Sequence, residues 1–534
     1  MDPASPFIHK IDLGIIFLYL IVVMAIGLHF ARGEKKSGAS VKSVDYFLAG
    51  KKLGWIAVGF SLFASNISST TLIGLSGAAY ATGISVSNYE WMAAIVLVFF
   101  SIFFIPYYLG TNVFTMPEFL ERRFDQRSRY YFSGLTIVGN LFIDTAGTLF
   151  AGAFVLSELF GIDLLLAATV LALITGFYTA AGGLSAVVYT DIIQAVILLI
   201  GTTCIALLAY QKTGPWSEIV ANTPSELLSV VRPIGDETMP WTGLLIGVPI
   251  LGFYFWCTNQ FIVQRVLGAR DINHARWGSL FGGFLKLTVL FIMVYPGIMA
   301  RQLYPDLARA DAVFPTMVTS LLPLGLKGLI LAGLIAAIMS SIDSTLHSVS
   351  TLVTVDFVKK ANPKLTPVQL TRVGRFTTVV FMIFSIAWVP VVASSANLFA
   401  YLQEALAYLF PPVAAIFIIG LFWKRATGKG ALAGLVFGHA VAIVCFILTK
   451  FFQYTLLHFL EMAGVFAAVS ALTMGFVSLL DAPPDPLQVE KYTWSRKRMK
   501  ELTANLNVCS WWQDYRLHSC ILIILTFFLI VSNW

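Results

Sequence analysis

The run Ser65-Asn66-Ile67-Ser68-Ser69-Thr70-Thr71 sets six hydroxyl or amide side chains in the middle of an apolar stretch reaching from Leu53 to Tyr80. In hydrocarbon every backbone polar group must be satisfied internally, so such backbone is tolerated only where it is buried in protein or lines a wet cavity. A helix broken at this point would lend carbonyls and hydroxyls to an ion. A second oxygen-rich set lies in Ala336-Ala337-Ile338-Met339-Ser340-Ser341-Ile342-Asp343-Ser344-Thr345. Helical spacing puts Ser340, Asp343 and Ser344 on one face with Ser341 beside them, and the alanines let a neighbouring helix come close. Hard oxygen ligands of this kind suit a group I or II cation rather than a transition metal, which prefers His or Cys.

Six ionisable residues fall in or at the edge of apolar spans: Glu90, Asp144, Asp191, Lys286, Asp343 and Glu404. Each uncompensated charge at membrane depth costs about 3 kcal/mol or more, which makes every one a functional candidate. The competing reading, an interfacial or structural ion pair, is strongest for Asp144, which stands in no motif, and for Glu404, whose place at a span edge would let it reach a wet vestibule. Lys286, within Phe284-Leu285-Lys286-Leu287-Thr288, is too deep to snorkel easily and requires a carboxylate or a polar solute.

These residues need a membrane scaffold, and the composition supplies one. Of 534 residues, 58% are hydrophobic and 12% charged, too few charges to cover a soluble surface. Apolar runs of membrane-spanning length occur at about 12–31, 53–80, 87–111, 130–160, 163–180, 184–209, 241–264, 273–300, 325–358, 372–393, 395–422, 430–450, 453–480 and 517–534. With the N-terminus outside, the cytoplasmic loops of this fourteen-span arrangement hold 27 of the 35 Lys and Arg, so both termini are expected to be external. The formal charge of +7 is therefore topological and does not indicate a nucleic-acid partner. The five cysteines show neither a CxxC motif nor paired extracellular spacing, and no disulfide framework or zinc site follows. Residues 1–10 are short and polar, and the first span is expected to be an anchor rather than a cleaved signal.

Span two is interrupted by the hydroxyl run. Five spans later, span seven is interrupted at Gly247, Gly252 and Cys257-Thr258-Asn259-Gln260. Corresponding breaks five helices apart point to inverted repeats with a binding site at the midplane between the broken helices.

Several motifs carry a resemblance to a known family. They are Asp45-Tyr46-Phe47-Leu48-Ala49-Gly50-Lys51, Ser65-Asn66-Ile67-Ser68, Tyr89-Glu90-Trp91-Met92, Gly182-Gly183-Leu184-Ser185-Ala186-Val187-Val188-Tyr189-Thr190-Asp191, Asn259-Gln260-Phe261-Ile262-Val263-Gln264-Arg265, Leu285-Lys286-Leu287 and Gly420-Leu421-Phe422-Trp423-Lys424-Arg425. Through them, and over essentially its whole length, the chain resembles the sodium/solute symporters, most closely the bacterial sodium/sugar cotransporters. The resemblance implies an all-α polytopic membrane protein with a leucine-transporter-like fold. One transmembrane domain over 1–534 would hold two inverted five-helix repeats, 53–209 and 241–422, with an extra helix at 12–31 and further helices over 430–534. It also implies a sodium site made by the carbonyls of Ala64, Ile67 and Ala337 with the hydroxyls of Ser340 and Ser341. A second sodium is expected among Asp191, Ser340, Asp343 and Ser344. For the solute the resemblance implies Glu90, Lys286 and Gln403, with Asn66, Thr71, Phe255 and Asn259 around them. Where similar galactose transporters carry a glutamine, a serine, an asparagine and a gating tyrosine, this chain has Thr71, Ala93, Gly252 and Phe255. Fewer polar contacts remain on that side, and Phe255 would stack on a pyranose ring without a hydroxyl to hold a gate.

The expected activity is sodium-coupled symport of a sugar or sugar-like solute. The alternative is a sugar acid, carboxylate or amino acid, whose own carboxylate would meet Lys286. Enzyme and channel classes fit less well, because the spans carry no nucleophile–base pair, no His cluster and no ring of charges. Sodium, the solute and the lipid bilayer are the expected partners, with a monomer or weak oligomer in a bacterial inner membrane.

Overall fold

In the computed structural model, residues 8–19, 21–22, 49–113, 115–178, 184–502 and 510–533 are described. Motif residues 45–48 and 182–183 lie outside them, as does half of the first predicted span. The side chains of Asp191 and Asp343, both expected at a second sodium, are likewise outside the described set.

The described chain is built from helices whose order follows the apolar runs. They are α1 (Trp55–Asn66), α2 (Ser69–Thr82), α3 (Ile84–Gly110), α4 (Gln126–Phe160), α5 (Leu164–Tyr178), α6 (Leu184–Thr213), α7 (Trp241–Thr258), α8 (Gln260–Leu267), α9 (Ile272–Leu303), α10 (Leu326–Ala361), α11 (Pro367–Ala393), α12 (Leu398–Leu409), α13 (Pro411–Phe422), α14 (Gly428–Phe452), α15 (Phe459–Leu480) and α16 (Tyr515–Ser532). Among the described residues ten helices are long and apolar enough to cross a membrane, or twelve when each of two bent pairs counts as one span. Of the fourteen runs in the sequence, the remaining two are 12–31, only partly described, and 163–180, where the apolar helix is short. Large apolar side chains such as Phe376, Leu472 and Phe528 remain exposed on the outer helices, as hydrocarbon contact requires.

Three breaks shape the interior, and each has a local cause. Between α1 and α2 the axis turns by 59°, with Ile67 out of the helical region and Ser68 extended. The hydroxyls bond locally there, Ser68 to Thr70 at 2.6 Å and Thr71 to the Asn66 carbonyl, which offers the backbone an alternative to the helical ladder. Between α12 and α13 the turn is 52°, where the prolines that open α13 cannot continue a preceding ladder. In span seven the break falls at Asn259, which is extended and caps α8 by accepting from Phe261 N–H at 3.3 Å. Gly247 and Gly252 do not contribute to this break. Both lie inside α7, and a side chain on Gly247 would meet the Leu460 carbonyl of α15, so its smallness serves close helix packing.

The two broken segments are tied to each other and to α9. Leu53, before α1, exchanges backbone hydrogen bonds with Gly268 and Arg270, after α8, at 3.1 Å each. α1 lies against α9 through Gly59 and Gly278, where an added Cβ would come within 3.0 Å or less of the opposing helix's carbonyl, an approach that only small residues permit.

The Gly420–Arg425 motif ends α13, and its carbonyls are held by Arg123, which follows α3 on a short helix (Met116–Arg123). This guanidinium is almost wholly buried and donates to the carbonyls of Gly420 (2.7 Å), Trp423 (3.0 Å) and Ala426 (3.2 Å). Removing it deletes three buried hydrogen bonds, so Arg123→Met is expected to destabilise the purified protein by about 3 kcal/mol or more. A melting temperature equal to that of the unaltered protein in the same detergent would refute this.

Candidate functional site

The α1–α2 break, α3, α4, α6, α7, α8, α10 and α12 line a cavity of about 140 Å³. Its wall carries three groups of expected residues. Ala64, Asn66 and Thr71 come from the break, Glu90 from α3, and Phe255 and Gln403 from α7 and α12. Ala337, Ser340, Ser341 and Ser344 come from α10. Expected solute and ion residues thus line one cavity.

At the break, the last backbone bond of α1 is Ile67 N–H to Phe63 O at 2.8 Å, which puts the carbonyls from Ala64 onward past the end of the helical ladder. The Asn66 carbonyl accepts from Thr71. The Ile67 side chain is buried and borders a separate, small apolar void with Phe63, Leu198 and Met293. On α10, one turn beyond Ser341, the Thr345 hydroxyl accepts from Thr145 of α4 at 2.9 Å. That bond fixes the register of the serine-bearing turn against α4.

Lys286 forms the ion pair with Glu90 that the depth of both charges calls for. It is fully buried, does not line the cavity, and sits behind the wall. Its ammonium donates to the Glu90 carboxylate and to the Asn66 side-chain oxygen, with the rings of Trp256 and Phe63 5.6 and 5.9 Å away. A buried ammonium with a carboxylate, an amide oxygen and two aromatic faces is compensated without any solute. Lys286 therefore orients Glu90 and Asn66, which do face the cavity. Asn259 also stays out of the wall, because its side chain is engaged as the α8 cap.

Other cavity residues were not singled out from the sequence as solute contacts. Tyr89 packs edge-on against Phe399 at 5.1 Å, and Trp256 lies against Phe255 at 5.2 Å. Thr148, Gln194 and Arg265 complete polar stretches of the wall, Arg265 donating to the Ser61 hydroxyl at 3.0 Å and to the Phe261 carbonyl. Gln194 stands three residues beyond Asp191, a spacing that helical periodicity could have flagged. Asp144, a functional candidate for which the structural reading weighed most, faces the cavity. Glu404 behaves as its bland reading predicts and pairs with Lys450 at 2.8 Å, away from the cavity.

The Lys286–Glu90 pair sets a testable order of effects. Lys286→Met leaves a buried carboxylate without its cation, at a cost of about 3–5 kcal/mol. The double variant Lys286→Met, Glu90→Gln removes both charges and is expected to recover most of that stability in thermal unfolding while still failing to bind solute. Equal destabilisation by the single and double variants would show that the pair is not the compensating interaction.

The Sodium:solute symporter family profile matches residues 46–438. Over 94% of this chain and 84% of its own length, the sodium/glucose cotransporter 4 of Danio rerio is 34% identical. The sodium/myo-inositol cotransporter 2 of Oryctolagus cuniculus is 34% identical over 93% of this chain and 81% of its own. Among solved structures, a Na+-coupled sialic acid symporter in a substrate-bound outward-open state superposes with a TM-score of 0.75, covering 89% of this chain and 99% of its own at 24% identity. Mhp1, a nucleobase-cation-symport-1 family transporter, superposes with a TM-score of 0.55 at 13% identity, over 83% and 97%. These superpositions show the leucine-transporter-like fold. With its helical membrane architecture and these matches, the chain belongs to the sodium:solute symporter family.

Proposed function

We propose that this protein is a sodium-coupled symporter that imports a polyhydroxylated, sugar-like solute by alternating access. The observation that carries the reading is that the cavity presenting Glu90, Gln403, Asn66 and Thr71 also presents Ser340 and Ser341. An ion and a solute held in one cavity each bias the same conformational equilibrium through their differential affinity for its states. The sugar and inositol cotransporters named above are transporters of that solute class, which also argues against an enzymatic role. An acidic solute is less well served, since Lys286, the cation it would have met, is engaged by Glu90 and Asn66 behind the wall.

In this reading Ala64, Ile67 and Ala337 contribute carbonyls and Ser340 and Ser341 hydroxyls to the first sodium. Glu90 and Gln403 accept and donate to solute hydroxyls, and Phe255 covers a sugar ring. The inverted repeats are 53–209 and 241–422. Charge asymmetry supports external termini, and a bacterial inner membrane is the proposed location.

Uptake of labelled sugar into proteoliposomes should require an inward sodium gradient that potassium does not replace. Removing one of roughly five oxygen ligands weakens a desolvated cation's site, so Ser341→Ala should raise the sodium needed for half-maximal uptake severalfold. Unchanged sodium dependence would remove Ser341 from the site. For the second sodium, two ions per solute are expected in a reversal-potential assay, falling to one in Asp191→Asn. A ratio of one in the unaltered protein would exclude that site.

A further inference from the structure

Between α15 and α16 the chain forms two short helices, Pro486–Tyr492 and Arg496–Leu502. Trp494 N–H donates to the Leu421 carbonyl at 2.7 Å, Ser495 N–H to the Tyr107 hydroxyl at 2.9 Å, and the Gln488 side chain to the Arg122 carbonyl at 2.8 Å. These bonds hold the segment against the ends of α3 and α13. Along it lies a cleft of about 310 Å³ whose wall carries Lys491, Ser495, Lys497 and Arg498 with Glu490 and Glu501. Arg498 pairs with Glu501 at 3.4 Å. Among the described residues, the exposed Lys491 and Lys497 have no ion pair, and the buried Nε of Arg498 has no hydrogen-bond partner. Three cations against two carboxylates leave the cleft with a single positive charge. Its neighbours set its depth. Leu479 and Leu480 end α15, Trp511 and Trp512 precede α16, and all four are exposed, as is Leu487 in the cleft wall. Tryptophans at the end of a span mark the headgroup level of a bilayer.

We propose that this cleft binds the phosphate of an anionic phospholipid headgroup, with Lys491, Lys497 and Arg498 as its cationic contacts. A basic cluster beside a span end is drawn to anionic lipid, and a cleft already folded against the body adds charge-assisted hydrogen bonds to the phosphate oxygens. Arg498 Nε is a donor that the protein leaves without an acceptor. The net charge of the cleft matches a phosphodiester, which carries one negative charge. Lipid is favoured over free phosphate because Leu487, Trp511 and Trp512 offer apolar contact to the acyl boundary, which a free anion cannot use. In the orientation proposed above this end of the bundle faces the cytoplasm, and the binding chemistry is the same in either leaflet.

The test uses the full chain purified in an uncharged detergent, with bound lipids counted by native mass spectrometry. The first phosphatidylglycerol should bind about tenfold or more tighter than phosphatidylcholine with the same acyl chains, and excess inorganic phosphate should not displace it. Lys491→Gln combined with Lys497→Gln should weaken that binding by about tenfold or more, since each lysine near the surface contributes roughly a fivefold factor. Lys359→Gln combined with Lys364→Gln removes the same charge from exposed side chains near the end of α10, at the same end of the bundle but outside the cleft. This second pair should change the affinity by about twofold or less, because solvent and salt screen distant exposed charges. Equal weakening by both pairs would show diffuse attraction and overturn the site. Displacement by inorganic phosphate would overturn the assignment to lipid. Phosphatidylglycerol held no more tightly than phosphatidylcholine by the unaltered protein overturns the proposal whether or not the variants fold.

Discussion

A single buried ammonium organises the centre of this protein. Lys286 on α9 reaches Asn66 at the end of α1 and Glu90 on α3, with no surface exposed to the cavity. Taking an ammonium and a carboxylate out of water costs several kcal/mol per ion, and the loss is recovered only when geometry is good and the remaining donors find partners. That requirement fixes the mutual positions of three helices at the depth where α1 stops. The Gly59–Gly278 approach has the same consequence from the packing side, since it holds α1 and α9 close enough for the lysine to span the gap.

With those helices fixed, the cavity follows. The hydroxyl run ends α1 because its side chains compete for backbone partners, and the break lines the same cavity as α10. The Thr145–Thr345 contact sets α10 against α4, so Ser340 and Ser341 share a space with the α1 break. Elsewhere the same logic of buried charge and satisfied carbonyls ties together the ends of α10 and α13 and the start of α4. Arg123 takes up the end of α13, and Arg129 pairs at 2.7 Å with the buried Asp356, which also accepts from Ser133 at 2.7 Å.

These constraints bear on how an ion and a solute are coupled. The first broken segment contributes to both groups of wall residues, through Ala64 on one side and Asn66 and Thr71 on the other. In the proposed reading, a change in the occupancy of one group reaches the other through α1, which is packed against α9 and pinned at Leu53 to the end of α8. Coupling needs no relay beyond a shared element that both ligands bias.

Much of this was legible in the sequence. Span length and charge asymmetry follow from the thickness and dielectric of a bilayer, which act on residues one at a time. The hydroxyl run and the serine-rich turn of α10 were recognisable because polar oxygen in an apolar helix needs a local reason. Side-chain aim was not legible. Depth alone says that Lys286 needs a carboxylate or a polar solute, and only the packing of α1, α3 and α9 shows Glu90 and Asn66 as its partners. Asn259 reads as a pocket residue until the break after α7 makes it a cap, and the same packing reveals Gly247 as a contact rather than a break. For Asp144 the structural reading weighs most in the sequence, because a π-helical turn that re-aims a carboxylate leaves no mark in the hydropathy pattern. The sequence by itself determined which residues are too polar for hydrocarbon, since transfer energy belongs to each side chain. Which of them face the cavity was decided by tertiary structure, because facing depends on helix rotation, and rotation is set by contacts between segments far apart in the chain.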